Sequence, residues 1–134
     1  MAQVNPVVGD IDGNAALIKD AVGQSLAHDV DVVVFPEMVL TGYPVEDLAL
    51  RPAFRRASIE RLNSLATELK SIGADKTLVL VGYLDEGGKP LNSLALIYGG
   101  AVVAKYTKRH LPNYGVFDEF RNFGPGEGTL VARY

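Results

Sequence analysis

Apolar residues follow a helical spacing in two segments and an extended spacing in several others, which predicts helices and strands in alternation. The first helix is expected over residues 15–27, with the Asn14 side chain as its N-cap. A longer helix is expected over residues 52–72, where Gly73 gives the stop signal. Between the helices, the β-branched run 30–35 predicts a strand that is buried on both faces.

Short apolar runs separated by glycine-containing turns fill much of the second half of the chain. Turns at residues 85–88 and 99–100 join three runs into a predicted antiparallel meander, with strands over residues 77–84, 91–98 and 101–106. Residues 108–128 are predicted to be irregular. The elements together predict an α/β domain with a mixed sheet and helices on one face. Residues 2–4 and 128–134 are predicted to belong to strands, so further parts of the fold are expected beyond both ends.

The chain has 134 residues, a net charge of −3 and no cysteine. This length suits one domain or part of one. Acidic and basic residues are interspersed without a basic stripe, which argues against nucleic acid as a partner. No apolar stretch approaches the roughly 20 residues of a membrane helix, and no signal peptide is visible. A cytoplasmic protein without membrane association is therefore expected, and disulfides, thiolate metal sites and cysteine catalysis are excluded within these residues.

Three motif-like features are interpreted as structural. The glycine-rich stretch 124–128 precedes a predicted strand, so it is interpreted as a turn and not as a phosphate-binding loop. Residues 10–14 resemble the start of a calcium loop but lack its closing glutamate, which favours a turn followed by a helix cap. His28 and His110 have no second ligand at metal-binding spacing. No metal site is therefore expected, and no serine lies in a nucleophile elbow.

Two polar segments follow predicted strands, where sites in α/β folds usually form. Residues 35–44 place Glu37 directly after a strand, where a carboxylate is partly desolvated and suited to act as a general base. Residues 108–119 begin at Lys108 and continue as a long loop with aromatic and acidic side chains. From position alone, two alternatives stay open: Glu37 faces solvent at a strand end, and the loop is an ordinary surface loop.

The two polar segments and the N-terminus together resemble the nitrilase superfamily of carbon-nitrogen hydrolases. More narrowly, they are similar to the glutaminase domain of glutamine-dependent NAD synthetases. The motifs that carry the similarity are N-P-x-V-G-D-I-x-G-N at residues 5–14, F-P-E followed by L-T-G-Y-P-x-E-D-L at residues 35–48, and K-x-H-L-P-N-Y-G-V-F-D-E at residues 108–119. The similarity extends from residue 3 to residue 126, which is nearly the whole chain.

The resemblance implies a fold and a set of roles. Residues 1–134 would form part of a nitrilase-type αββα four-layer sandwich, an amidohydrolase domain truncated before the strand that carries the nucleophile. Glu37 would be the general base, Lys108 would stabilise the oxyanion, and Glu119 would hold the lysine. Glu37 and Lys108 are then expected at neighbouring strand ends, with their charged groups within about 2.6–3.2 Å or one water of each other. Three aromatic side chains would line the glutamine pocket: Tyr43, Tyr114 and Phe117.

The cysteine nucleophile of the family has no counterpart in these residues, so the chain is expected to be inactive alone. The parent enzyme would hydrolyse glutamine and pass ammonia to a synthetase domain, where ATP and Mg would act; no cofactor is expected in this segment. Expected partners are glutamine, the synthetase domain and further copies of the chain, because the isolated chain is not expected to be a stable monomer. Two alternatives remain: a non-catalytic module that serves in assembly or binding, and a fragment of another nitrilase-family amidase.

Overall fold

A four-stranded mixed sheet carries two long helices on one face. The structure is a computed structural model and describes residues 1–133. In chain order, the elements are α1 (Ile11–Leu26), β1 (Val32–Val34), a 3₁₀ helix (Glu46–Leu50), α2 (Pro52–Ser71), β2 (Leu78–Glu86), β3 (Pro90–Tyr98), β4 (Ala101–Thr107) and α3 (Glu119–Asn122). The predicted α/β class, with a mixed sheet, is confirmed.

The strands of the sheet follow the order β1-β2-β3-β4. β1 and β2 are parallel, because the chain returns through the 3₁₀ helix and α2 between them. β2, β3 and β4 form the predicted antiparallel meander. The turn between β3 and β4 uses Gly99 and Gly100, whose φ angles of 64° and 89° suit a two-residue hairpin turn.

The hydrophobic core lies between the sheet and the two long helices. Alternate residues of β2 point toward the helices, and leucines of α2 recur every three or four positions to meet them. The largest buried side chains of this core, each at most 2% exposed, are Ile18, Leu40, Leu62, Leu65, Leu69, Tyr83 and Ile97. Burying a side chain of this size contributes about 1.5–3 kcal/mol, so this cluster dominates the stability of the fold.

The opposite face of the sheet is only partly covered by residues 1–133: a second buried cluster packs around Leu84, and the face is open near β1 and the start of β4. On this side Val32 is 40% exposed and Val103 is 57% exposed, whereas Val33 is buried beneath the helices. The prediction that residues 30–35 form a strand buried on both faces is therefore wrong: β1 has three residues and one buried face. The physical reason is that both long helices pack on the same side, while residues 128–133 line only part of the other.

The start of α1 also differs from the prediction. Asp10 is the N-cap, and its side chain accepts a hydrogen bond from the Gly13 N–H at 2.9 Å. Asn14 lies inside the helix and is 2% exposed. Its side-chain amide donates to the carbonyls of Val7 and Leu40, and its side-chain oxygen accepts from the Val7 N–H. A cap and a buried anchor both require a short polar side chain, so sequence spacing does not separate them.

Two predicted strand fragments do not form strands. Residues 2–4 lie beside β1, where the Ala2 N–H donates to the Val34 carbonyl at 2.9 Å, but no ladder follows. Residues 128–133 have no regular secondary structure, and Tyr134 lies outside the described residues. The segment 108–128, predicted to be irregular, contains the short helix α3. Within residues 1–133, no helix is both long enough and apolar enough to cross a membrane.

Candidate functional site

Glu37 lies in a turn that packs directly on β2. The chain leaves β1, the Met38 residue adopts a left-handed φ of 53°, and the Leu40 N–H donates to the Gly82 carbonyl at 3.1 Å. A Cβ atom at Gly82 would lie 2.4 Å from the Met38 nitrogen. Because real Cβ atoms do not approach backbone that closely, a glycine at this point of β2 is what allows the turn to lie against the sheet.

Lys108 follows the last residue of β4 and is held through its backbone on both sides. Its N–H donates to the Asn92 carbonyl at 2.9 Å, which extends the β3–β4 ladder by one hydrogen bond. Its carbonyl accepts from the Gly126 N–H at 2.8 Å. These two hydrogen bonds fix the backbone from which the lysine side chain extends toward the Glu37 turn.

The three charged residues predicted to act together meet at this end of the sheet. The Lys108 Nζ lies 2.8 Å from Glu37 Oε1. The same nitrogen lies 3.1 Å from Glu119 Oε1 and 3.0 Å from Glu119 Oε2. The predicted contact of Glu37 with Lys108, and the approach of Glu119 to the same lysine, are confirmed. The prediction that Glu37 and Lys108 follow neighbouring strands is wrong, because β2 and β3 lie between β1 and β4 in the sheet. Their catalytic roles stay predictions.

Burial differs sharply between the two carboxylates. The Glu119 side chain is 4% exposed, the Lys108 side chain 29% and the Glu37 side chain 46%. Glu119 therefore depends on protein partners for its charge, whereas Glu37 also faces solvent. The expected desolvation of Glu37 is thus only partial within residues 1–133. With both carboxylates ionised, the cluster carries one positive and two negative charges.

The lysine remains charged in this setting. Partial burial alone would lower the pKa of Lys108, but the hydrogen bonds and negative charges of Glu37 and Glu119 together outweigh it, so the pKa of Lys108 is raised. A lysine with a raised pKa is fully protonated at neutral pH and can only donate hydrogen bonds. The cluster therefore presents a permanent cation beside a solvent-accessible carboxylate.

Tyr43 supports Glu119 from the other side. Its hydroxyl donates to Glu119 Oε1 at 2.9 Å. Burial, followed by the hydrogen bond to the Glu119 carboxylate, raises the pKa of Tyr43 well above its ordinary value, so the hydroxyl keeps its proton and acts as a donor. Glu119 is thereby held between a tyrosine and a lysine.

The predicted aromatic residues separate into two groups. Tyr43 and Phe117 line one cavity of about 380 Å³, together with Glu119 and residues of the 3₁₀ helix and α3. Tyr114 does not line this cavity: it is 72% exposed and meets Phe117 edge to face, with ring centroids 6.0 Å apart. Glu119 is the residue that the cavity shares with the charged cluster, so the cavity lies beside the Glu37–Lys108 contact rather than over it.

Two residues at the site were missed by sequence reasoning. Asn92 is 4% exposed and its side-chain amide donates to Glu37 Oε1. Gly82 permits the close approach of the Glu37 turn. Each carries a local signal, because an asparagine and a glycine interrupt otherwise apolar strands, and a glycine inside a strand often marks a close backbone approach.

The donor set of the described residues does not suit a metal ion. Among residues 1–133, no group of three or more histidine, cysteine, aspartate or glutamate side chains is arranged to hold one. The two carboxylates of the site instead share a lysine. Chemically, the cluster can accept a proton at Glu37 and donate hydrogen bonds from Lys108 to a developing negative charge.

Comparison with known proteins identifies the family of the chain. The carbon-nitrogen hydrolase family matches residues 1–133. The glutamine-dependent NAD(+) synthetase of Thermotoga maritima is 40% identical over 133 residues, which make up 99% of this chain and 23% of that protein. The solved structure of glutamine-dependent NAD+ synthetase from Acinetobacter baumannii is 34% identical, with a TM-score of 0.86 over 100% of this chain and 25% of that chain.

A third similarity reaches a different branch of the superfamily. A nitrilase-superfamily amidase from Nesterenkonia is 25% identical, with a TM-score of 0.72 over 94% of this chain and 47% of that chain. The nitrilase-type α/β fold expected from the motifs is thereby confirmed. The chain spans about a quarter of the length of the synthetases that it matches.

Proposed function

Because the chain belongs to the carbon-nitrogen hydrolase family, we propose that residues 1–134 are part of a glutamine amidohydrolase domain that supplies ammonia for ATP-dependent NAD synthesis. The observation that carries this proposal is the contact of Lys108 with both Glu37 and Glu119 at the end of the sheet. The Thermotoga maritima and Acinetobacter baumannii relatives named above are both glutamine-dependent NAD synthetases, which favours glutamine as the substrate.

The three charged residues divide the chemistry between them. Glu37 faces solvent on one side and serves as the general base. Lys108 has three N–H donors, two of which form hydrogen bonds to Glu37 and Glu119, and the third is directed to the substrate oxygen that becomes negative. Glu119, held by Tyr43, fixes the lysine.

The nucleophile is a cysteine thiol from a part of the parent protein outside this chain, since these 134 residues contain no cysteine. Glu37 takes the thiol proton, and the thiolate attacks the amide carbon of glutamine. The C–N bond then breaks, and ammonia leaves with the proton returned by Glu37. Water, deprotonated by Glu37, next cleaves the thioester to give glutamate and restore the thiol. On this proposal the chain alone is inactive.

The cavity beside the cluster is the proposed substrate pocket. Tyr43 and Phe117 supply apolar walls, and Glu119 joins the pocket to Lys108. Tyr114 influences the pocket through its edge contact with Phe117. The sequence shows no phosphate-binding loop of the Walker type. We assign the chemistry of ATP to the synthetase part of the parent, because the relatives named above are NAD synthetases of which this chain covers about a quarter.

A second candidate is a non-catalytic assembly module, favoured by the uncovered apolar face of the sheet. Val32 and Val103 on this face are 40% and 57% exposed, and exposed apolar surface promotes association. Sedimentation of the chain checks the related proposal of self-association: a concentration-independent monomer contradicts it. A fragment of another amidase remains a third candidate, through the similarity to the Nesterenkonia enzyme.

The amidase proposal is tested by ammonia release from glutamine. Two proteins are compared: the chain as given, and a chimera in which residues 1–133 replace the aligned segment of the Thermotoga maritima relative. The chain is expected to be inactive and the chimera active. Lys108→Ala in the chimera is expected to abolish ammonia release, because the lysine acts on the transition state. The control Lys89→Ala, at an exposed lysine, is expected to leave ammonia release unchanged. Release by the chain alone, or by the Lys108→Ala chimera, contradicts the mechanism.

A further inference from the structure

We propose that Asn92 is a positioning residue that leaves one chosen oxygen of Glu37 free to act as the base; this inference rests on the proposed amidase function. The Asn92 side-chain amide donates to Glu37 Oε1. The Lys108 Nζ donates to the same oxygen at 2.8 Å. Within residues 1–133, the hydrogen bonds to the Glu37 side chain all fall on Oε1, so Oε2 is the oxygen left to accept a proton.

Asn92 is placed to fix both members of the base–lysine pair. Its side chain binds Glu37, while its backbone carbonyl accepts the Lys108 N–H at 2.9 Å. It is 4% exposed and lies opposite Leu84 in the central β2–β3 pairing. A buried side chain on a paired strand has little freedom to move. Asn92 therefore holds both Glu37 and Lys108 at fixed positions relative to the sheet.

Ser93, the residue after Asn92, lies on the other face of β3 and has a different role. Side chains alternate along a strand, so Ser93 points to the face opposite Asn92. There the Ser93 and Thr107 hydroxyls hydrogen-bond at 2.9 Å across β3 and β4. The Ser93–Thr107 contact links the strands, whereas the amide of Asn92 reaches the functional site.

The chemical consequence follows from the exposure of Glu37. Its side chain is 46% exposed, so the contact with Lys108 would otherwise be the main restraint on a carboxylate free to rotate toward water. A second donor on Oε1 fixes the plane of the carboxylate. The thiol proton is then transferred to Oε2, and the amide of Asn92 takes no part in that transfer because it stays neutral. Loss of the amide misaligns the base without removing it.

The catalytic test uses the chimera, with NAD formation driven by glutamine or by ammonium. Ammonium bypasses amide hydrolysis, so it reports whether the protein is folded. Asn92→Leu is expected to lower kcat with glutamine by about 10- to 100-fold, with little change in KM and in the ammonium-driven rate. Asn92→Gln, which keeps a donor, is expected to recover part of the loss. Unchanged kcat, or an equal loss with ammonium, overturns the positioning role.

A second measurement tests the contact in the 134-residue chain itself. Glu37→Gln removes the charged acceptor, so the NMR signals of the Asn92 side-chain amide are expected to shift. The buried side-chain amide of Asn14, which contacts Val7 and Leu40, is the control, and its NMR signals are expected not to shift. An unmoved Asn92 signal overturns the inference. A chimera that uses ammonium but not glutamine contradicts the proposed function, while the amide shift still decides whether Asn92 holds Glu37.

Discussion

Replacing Lys108 with methionine tests how far the buried carboxylate depends on its counter-ion. Methionine keeps the length of the side chain but removes the charge, leaving Glu37 and Glu119 without the cation between them. Glu37 is 46% exposed and can turn to water. Glu119 is 4% exposed and would keep the Tyr43 hydroxyl as its side-chain partner among residues 1–133. The loss of stability is therefore expected to come mainly from Glu119.

The magnitude follows from burial on each side of the ion pair. Removing one partner of a fully buried pair costs about 3–5 kcal/mol. The Lys108 side chain is 29% exposed, so water offsets part of this loss, and a decrease of about 1–3 kcal/mol in the free energy of unfolding is expected near pH 8.

The sign of the pH dependence follows from the raised pKa of Lys108: burial alone would lower this pKa, but the hydrogen bonds and charges of Glu37 and Glu119 outweigh burial. A group whose pKa is higher in the folded state stabilises the protein fully below its unfolded pKa and loses that contribution as pH rises through the folded pKa. The penalty of Lys108→Met is therefore expected to be full near pH 8 and to shrink as pH rises through the raised pKa of the lysine. Urea unfolding at matched protein concentration measures it, with Lys89→Met as the exposed control. A second substitution, Glu119→Gln, is expected to recover stability at pH 8. A penalty that is absent near pH 8, or that persists above the raised pKa of Lys108, refutes the reasoning.

Three further predictions concern the supports of the site and are checked by urea unfolding. Gly82→Ala is expected to cost about 1–3 kcal/mol, because the new Cβ would lie 2.4 Å from the Met38 nitrogen; unchanged stability contradicts the close approach. Asn14→Ala is expected to cost about 2 kcal/mol through lost buried hydrogen bonds; a loss below about 0.5 kcal/mol contradicts the anchor role. Glu68→Gln is expected to cost about 0.5 kcal/mol at pH 7, because the hydrogen bond from Arg61 lowers the pKa of Glu68. That difference should vanish as pH falls through the lowered pKa, and its persistence in strong acid contradicts the assignment.

The sequence predicts the main helices and strands because the spacing of apolar residues shows which side chains are buried. The stripe of α2 and the apolar runs of β2, β3 and β4 each bury a face against a neighbour, so their spacing identifies them. The prediction that residues 30–35 are buried on both faces is wrong, because a β-branched run does not say which faces its neighbours cover. Residues 128–133 have the same composition as a strand but no pairing partner.

The charged members of the site were predictable because each lies within a motif, and Glu37 and Lys108 also follow strands. Glu37 and Lys108 are 71 positions apart, yet both follow strands of one sheet. Asn92 and Gly82 were not predicted, since their roles depend on the β2–β3 pairing and on the turn that crosses it. For Tyr114 the motif predicted a place in the substrate pocket. In the structure the loop that carries it leaves its ring 72% exposed.

The most direct test of the central claim is the ratio of glutamine-driven to ammonium-driven NAD formation in the chimera carrying Glu37→Gln. Glutamine keeps the shape of the side chain but cannot act as a base, so the glutamine-driven rate is expected to fall by about 100-fold or more. The ammonium-driven rate is expected to stay unchanged, and the exposed Glu60→Gln control should alter neither. A Glu37→Gln chimera that still uses glutamine at the unsubstituted rate contradicts the account.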